Sequence, residues 1–169
     1  MQIKNRKTIR LKSFDYSQPG FYFVTVCVQD RKCWFGEIVN GEMTLNGPGK
    51  IVEQYWKEIP SHYPNIQLDS FVIMPNHLHG IVIIDSVGAA SGRPQAGNAH
   101  PYNLSSIIGS FKNISSKSIH KADLPDFSWQ KSFYDHVIRQ DESLDKIREY
   151  IVNNPKQWEL DKENPKNNS

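Results

Sequence analysis

The chain has 169 residues, 38% of them hydrophobic and 22% charged, which suits one packed domain rather than a disordered chain. Its formal net charge of +2 excludes a strongly basic or acidic protein, and two cysteines exclude a disulfide scaffold. There is no apolar run as long as a membrane span, and residues 1–12 lack the apolar segment of a signal peptide. We therefore predict a reduced, cytoplasmic protein.

Strands are predicted where β-branched and aromatic residues cluster between turn signals: residues 21–28, two pieces of 35–45 around Asn40-Gly41, 66–74, 78–84 and part of 129–139. Helices are predicted where apolar residues recur at helical spacing: residues 51–59, closed by Pro60, 104–120, and 143–154, closed by Pro155. The intervening residues 85–101 predict a mobile surface loop, and 162–169 a polar tail. This order predicts a single α+β domain with a ferredoxin-like or RRM-like antiparallel sheet and packed helices.

Positive charge is concentrated in two segments. Residues 1–12 hold five cations and no acid, and residues 103–121 hold three lysines and no acid. Such segments can follow a phosphate backbone, whereas a solvated arm and a solvated helix face are the ordinary alternatives. The candidate DNA-binding residues in these segments are Arg6, Lys7, Arg10, Lys12, Lys112 and Lys117.

Residues 71–84, F-V-I-M-P-N-H-L-H-G-I-V-I-I, form the most informative motif. His77 and His79 lie two residues apart at the start of a predicted strand, so both imidazoles point to the same face. Leu78 points to the opposite face, toward apolar packing. Two imidazoles on one face are half of a site for a divalent metal, while two hydrogen-bonded, half-buried histidines are the alternative.

A second motif, R-E-Y-I-V-N-N-P, spans residues 148–155. Tyr150 and Asn154 lie four residues apart on a predicted helix and share one face, with Lys146 one turn earlier. The amide oxygen of Asn154 could complete a metal site with the two histidines, and Lys146 could stabilise a phenolate or a phosphate. The alternatives are a boundary tyrosine with a hydrated hydroxyl and an asparagine that only ends a helix.

These residue types together suit phosphodiester chemistry. A phenol with a pKa near ~10 is a poor nucleophile at neutral pH, and a metal ion can polarise and orient a phosphate for in-line attack. The tyrosine then forms a covalent intermediate that conserves the phosphodiester energy for rejoining. The residues alone do not separate Tyr150 from Tyr134 as the nucleophile. Further candidates for assisting groups are Asp85, Asp135 and His136.

Several segments resemble the HUH-type single-tyrosine transposases, and in particular their REP-associated tyrosine transposase branch. They are I-R-L-K-S-F-D-Y-S-Q-P-G-F-Y-F-V-T-V near the start, M-P-N-H-L-H-G at 74–80, W-Q-K-S-F-Y-D-H-V-I-R at 129–139 and I-R-E-Y-I-V-N-N-P at 147–155. The resemblance extends over about residues 6–164, apart from the 85–101 loop.

The resemblance implies an RRM-like core with the histidine pair on a central strand and the nucleophile, Tyr150, on a C-terminal helix. It implies that His77, His79 and Asn154 bind Mg²⁺ or Mn²⁺. The implied reaction cuts single-stranded DNA near imperfect hairpins, leaves a 5′-phosphotyrosine and a free 3′ hydroxyl, and then joins strands. Relatives include monomers and dimers, so a homodimer is one expected state. The implied location is the bacterial cytoplasm, with nucleoid association when DNA is bound.

Three other functions are compatible with the sequence. A non-catalytic RRM-like binder would stack bases on exposed aromatics such as Phe21, Tyr22 and Phe23, although consecutive aromatics in an apolar strand favour core positions. A metal-dependent phosphodiester hydrolase would use water as the nucleophile and release both products. A structural domain would keep its histidines hydrogen-bonded and bind no metal.

Overall fold

The computed structural model describes residues 14–86, 102–139 and 144–168. The predicted basic arm, with Arg6, Lys7, Arg10 and Lys12, and nearly all of the predicted 85–101 loop lie outside the described residues. The strands are β1 (Gly20–Cys27), β2 (Gly36–Val39), β3 (Glu42–Leu45), β4 (Ile66–Met74), β5 (His77–Ile84) and β6 (Tyr134–Ile138). The α-helices are α1 (Gly47–His62), α2 (Leu104–Lys121) and α3 (Leu144–Asn153), and short 3-10 helices cover Gln29–Arg31, Asn154–Leu160 and Pro165–Asn168.

Four strands form one antiparallel sheet in the order β4-β5-β1-β6, while β2 and β3 pair separately as the predicted hairpin. Strand β5 lies between β4 and β1, so the β1-α1-β4 connection crosses over a strand that comes later in the chain. The same interleaving places β1 between β5 and β6. This is the ferredoxin-like arrangement, and the α+β prediction is confirmed, with the two histidines on an inner strand.

One face of the sheet packs against α1 and α2. Five residues point to this face and are fully buried: Leu78 and Val82 of β5, and Tyr22, Val24 and Val26 of β1. Trp56 of α1 lies over β5, where a Cβ atom on Gly80 would come within 2.5 Å of the indole ring. The glycine that follows the histidine pair is therefore required by helix–sheet packing, because any side chain there would displace Trp56.

Strand alternation directs His77 and His79 to the opposite face, where α3 packs against β4. Arg148 of α3 makes a bidentate contact with Asp69 of β4, donating from Nε to Oδ1 at 3.0 Å and from Nη2 to Oδ2 at 2.6 Å. This hydrogen-bonded ion pair lowers the pKa of the Asp69 carboxyl. It sets the position of α3, and with it Tyr150, relative to the sheet.

Most predicted boundaries differ from the structure by at most one residue, and two segments differ in a way that has a physical reason. Helix α1 begins at Gly47 after an Asn46 cap and runs through Pro60 to His62, because a proline in the last turn removes only one helical hydrogen bond. The segment predicted as a polar tail is polar but is part of the domain: Glu163 and Asn164 are 5% and 1% exposed. Their side chains hydrogen-bond to Arg31 and to the Trp158 carbonyl, which compensates their burial. In the part of the chain that the structure describes, there is no helix long and apolar enough to cross a membrane.

We expect Gly80→Ala to destabilise the fold by about 1–3 kcal/mol, since the new methyl group would overlap Trp56 and sit 3.3 Å from the Phe71 Cβ atom. Urea unfolding followed by tryptophan fluorescence measures this change. Gly109→Ala in α2 is the matched control, because a Cβ atom there meets nothing within 4 Å and alanine favours a helix. Equal stability of the Gly80→Ala variant and the native chain would contradict the packing argument.

Candidate active site

The predicted histidine pair forms the centre of a buried polar cluster. His77 is 0% exposed and His79 4% exposed, and their Nε2 atoms lie 3.1 Å apart. Strand register sets this approach: His79 pairs with Thr25 and His77 with Cys27 on β1. Neighbouring ligands of an octahedral ion with bonds of about 2.1 Å are separated by about 3 Å, so this spacing suits two ligands of one divalent cation.

Each imidazole is held through its other ring nitrogen. His77 Nδ1 lies 2.8 Å from Asn76 Oδ1, and His79 Nδ1 lies 2.8 Å from Thr25 Oγ1. The Asn76 amide nitrogen donates to the carbonyls of Arg31 and Glu163 at 2.9 and 2.7 Å, so its oxygen must be the atom that faces His77. A carboxamide oxygen only accepts, so His77 Nδ1 carries a proton and its Nε2 lone pair is available for a ligand.

Thr25 allows His79 to adopt either tautomer, because a hydroxyl both donates and accepts. When His79 Nε2 carries a proton, it can donate across the 3.1 Å gap to His77. When the proton is on Nδ1, this N–H donates a hydrogen bond to the Thr25 hydroxyl oxygen. The Nε2 lone pairs of both histidines then face the same point. Two lone pairs at this distance repel unless a cation lies between them, so the second state favours a bound ion.

Burial keeps both imidazoles uncharged. Desolvation, aided by nearby Lys162, lowers the pKa of His77 to about 3. Desolvation also holds the pKa of His79 well below its usual value, with His77 and Lys162 adding to the shift. Neutral imidazoles are the form that binds metals, and the pair is in that form at neutral pH without any proton having to leave.

Asp161 supplies a carboxylate to the cluster. Its Oδ2 lies 3.5 Å from His77 Nε2, and one ligand atom from each of His77, His79 and Asp161 falls within 4.8 Å of the others. The other oxygen, Oδ1, accepts the backbone N–H of Glu163 at 2.7 Å, which holds the carboxylate in place. Desolvation raises the pKa of Asp161. Two imidazoles and a carboxylate form a donor set that could hold a divalent metal ion.

Tyr150 lies beside this cluster, and the Asn154 side chain interacts with Tyr150. The Tyr150 ring is 5.4 Å from the His79 ring, and the residue is 45% exposed, so it is partly open to solvent. Burial of part of the ring raises the pKa of Tyr150, and the Asn154 side chain opposes this shift. Asn154 is 3% exposed, and its Oδ1 is buried without a hydrogen-bond partner. An unpaired buried oxygen is costly, and a cation would satisfy it.

The other candidates divide between the two faces of the sheet. Tyr134 and His136 of β6 face the cluster side, in register with Thr25 and Phe23, and Lys146 lies one turn before Tyr150 on α3. Asp135 points to the helix side, so it does not assist this site, because adjacent residues in a strand face opposite ways.

Three more candidates lie away from the cluster. Asp85 follows the far end of β5 and accepts from Gln67, roughly 25 Å along the strand from His77. Lys112 and Lys117 are on α2, behind the sheet. The Lys112 ammonium donates to the carbonyls of Gln130 and Lys131 at 2.6 and 3.1 Å, which anchors the segment before β6.

Sequence reasoning missed three residues of the cluster: Asp161, Asn76 and Thr25. Asn76 lies inside the M-P-N-H-L-H-G motif, between the predicted strands 66–74 and 78–84. Thr25 and Asp161 are distant in sequence from the histidines, and Asp161 belongs to a segment whose polar composition resembles a surface. Nothing in the local pattern indicates that these side chains meet.

Comparisons with known proteins agree with the fold and the motifs. No family model matches the chain. An uncharacterized protein of Haemophilus influenzae is 41% identical over 170 residues, covering 94% of this chain and 93% of that protein. A second protein of Haemophilus influenzae, named "Putative REP-associated tyrosine transposase", is 22% identical over 148 residues, covering 83% of this chain and 73% of that protein.

Among solved structures, a REP-associated tyrosine transposase bound to a REP hairpin shares the fold with a TM-score of 0.56. It is 20% identical in sequence, and the match covers 84% of this chain and 70% of that chain. The resemblance indicated by the motifs is therefore confirmed in sequence and in fold.

We expect Mn²⁺ to stabilise the folded chain through this cluster. Binding to the folded state alone adds about 2.7 kcal/mol when free Mn²⁺ exceeds its Kd a hundredfold. Urea unfolding with and without Mn²⁺ measures the gain, which we expect to vanish when His77→Ala and His79→Ala are combined. His62→Ala, at an exposed histidine of α1, is the control and should keep the gain. A double variant that responds to Mn²⁺ as the native chain does would locate the ion elsewhere.

Proposed function

This chain belongs to the same family as the 41% identical Haemophilus influenzae protein and resembles the REP-associated tyrosine transposases, and from that premise we propose that it is a transposase-type enzyme. It nicks and joins single-stranded DNA at hairpin-containing sites through a covalent 5′-phosphotyrosine. The REP hairpin bound by the solved transposase supports a hairpin as the substrate class.

The observation that carries this proposal is the position of Tyr150. A partly exposed tyrosine lies against His79, beside a donor set made of two neutral imidazoles and a carboxylate, and Asn154, which has an unpaired buried amide oxygen, lies next to Tyr150. A structural tyrosine does not require a cluster of metal-ligand type beside it. A phosphodiester-transferring tyrosine gains from such a cluster, because a phenol is a weak nucleophile at neutral pH and a bound cation would offset the negative charge of the phosphate.

In the proposed step, Tyr150 Oη forms a bond to the phosphorus atom as the bond to the 3′ oxygen breaks. The phenolic proton leaves to water, and the released 3′ oxygen takes up a proton from water. One phosphodiester is thereby exchanged for another, and an attacking 3′ hydroxyl can reverse the step to join strands. The Arg148–Asp69 contact holds α3 so that Tyr150 faces the phosphate, and Lys146 neutralises phosphate charge one turn away.

His77 and His79, with Asp161 and Asn154, are the proposed ligands of Mg²⁺ or Mn²⁺. When bound, the ion would supply Lewis-acid polarisation of the phosphate and orient it. The carboxylate and amide oxygens suit both of these hard cations. The two imidazoles favour Mn²⁺ over Mg²⁺. Asn76 and Thr25 orient the imidazoles, and outer hydrogen bonds of this kind commonly contribute 10- to 100-fold in metal affinity.

We expect the native chain, mixed with labelled single-stranded hairpin oligonucleotides and Mn²⁺, to give a covalent protein–DNA band on a denaturing gel. Tyr150→Phe should abolish the band, since it removes only the nucleophilic oxygen, and a chelator should abolish it in the native chain. Tyr102→Phe, at a similarly exposed tyrosine behind the sheet, is the matched control and should retain the band.

Other outcomes of this gel assign other functions. A band that survives Tyr150→Phe but disappears in Tyr134→Phe would transfer the nucleophile to Tyr134. Cleavage without a covalent band in Tyr150→Phe would indicate a hydrolase that uses water. Hairpin binding without cleavage in the native chain would indicate a binding protein.

The ligand set is tested by Mn²⁺ affinity measured by calorimetry. We expect Asp161→Asn and Asn154→Ala each to weaken Mn²⁺ binding by at least about ten-fold, since the first replaces a charged carboxylate ligand with a neutral amide and the second removes an oxygen donor. Asp145→Asn, at a carboxylate of α3 whose side chain is 89% exposed, is the charge-matched control and should bind as the native chain does. Unchanged affinity in Asn154→Ala beside a loss in Asp161→Asn would make Asp161 the third ligand in place of Asn154.

A further inference from the structure

Aromatic rings continue from Tyr150 across the cluster face of the sheet toward its edge. Strand β6 is an edge strand, and its first residue, Tyr134, forms a row with Thr25 and His79 on the two strands beside it. Adjacent strands are about 4.8 Å apart, so Tyr134 lies about 10 Å from His79. One extended strand of nucleic acid could contact both positions.

Phe23 supports Tyr134 from within the sheet. Its ring stacks on His79 at a centroid distance of 5.5 Å and meets the rings of Tyr134 and Tyr150 edge-on at 6.4 and 6.1 Å. Phe23 is itself half-buried, so its position is set by packing on three sides. The Tyr134 ring is therefore in contact with Phe23 while the residue is 41% exposed, so it is an exposed aromatic side chain whose position is set by packing.

The surroundings of this ring fit a nucleotide better than an apolar partner. Thr25 and His136 flank it with polar groups on the same face of the sheet, and exposed Lys146 lies one turn before Tyr150 on α3. A nucleotide presents a flat apolar base together with an anionic phosphate, and this face offers a flat ring, with a lysine on the helix that carries Tyr150. Every base has such a flat face, so a single tyrosine can serve without reading sequence.

We propose that Tyr134 is a stacking platform for one unpaired base of the DNA strand, next to the phosphate that Tyr150 attacks. This inference rests on the proposed function and adds the way in which the strand is held. It also accounts for two neighbouring exposed tyrosines with different roles: Tyr150 acts through its hydroxyl and Tyr134 through its ring.

Binding is measured in a Tyr150→Phe background, so that no strand is cut. The probes are a DNA hairpin with a short unpaired flank and a series of the same hairpin with one abasic site moved along the flank. We expect Tyr134→Leu to weaken binding of the intact hairpin by between about fivefold and about a hundredfold, the usual contribution of one stacked base. Tyr134→Phe should restore it, because the ring is kept.

The abasic series separates stacking from other causes. At one flank position, removal of the base should weaken binding to the Tyr134-containing protein, while Tyr134→Leu should bind the abasic and intact probes equally. Tyr102→Leu, at a tyrosine that packs edge-on against Tyr63 behind the sheet, is the matched control and should leave both affinities unchanged. The inference would be overturned if Tyr134→Leu weakened binding of every probe, abasic or intact, by the same factor, or if Tyr134→Leu did not weaken binding at all.

Failure of this inference is distinguishable from failure of the proposed function. A covalent band from the native chain together with unchanged binding in Tyr134→Leu would reject the platform and leave the enzyme. A base-dependent loss in Tyr134→Leu with no covalent band from the native chain would support the platform in a binding protein.

Discussion

Two uncharged imidazoles whose Nε2 atoms face each other at 3.1 Å in a buried position set the main constraint on this structure. Neither ring can be charged without a desolvation cost, and neither can turn away, because its Nδ1 atom is bonded to Asn76 or Thr25. The donor geometry therefore exists before any ion arrives. A preformed site of this kind loses little conformational freedom on binding and holds its ligands at the spacing that one cation requires.

The cluster also joins segments that are distant in the chain. Asn76 bonds to His77 and also to the backbone of Arg31 and of Glu163, and the Arg31 side chain bonds to the Glu163 carboxylate at 3.0 Å. Trp158 packs with its ring 6.1 Å from that of His77. The C-terminal segment that carries Asp161 is therefore held against the histidines by several contacts, and formation of the site is coupled to docking of this segment.

One strand satisfies the requirements of both faces of the sheet, residue by residue. In N-H-L-H-G, Asn76 orients the first imidazole, and His77 and His79 face the cluster. Leu78 is buried against the helices, and Gly80 leaves room for the Trp56 ring. The strong motif in the sequence thus reflects two independent physical demands, polar on one side and steric on the other, combined by the two-residue period of a strand.

Local patterns were sufficient to predict much of this molecule. Alternation and turn signals predicted the strands, helical spacing predicted the three helices, and the two-residue spacing placed His77 and His79 on one face. These predictions succeeded because each depends on the geometry of a single element, which the sequence specifies over a few residues. Asn154 lies just past the end of α3, in the 3-10 helix that follows it. The bounds of α1 were less predictable, because one proline in a last turn is tolerated.

Tertiary structure alone decided which residues meet. The approach of Tyr150 to His79 depends on the Arg148–Asp69 contact between α3 and β4, and the arrival of Asp161 beside His77 depends on docking of the C-terminal segment. The packing of separate elements also places Asp135 and Asp85 away from the cluster, although Asp135 is next to Tyr134 in the sequence and Asp85 follows the strand that carries the histidines. The reason is physical: spacing along an element determines the direction of a side chain, but the side chain it faces is set by how separate elements pack.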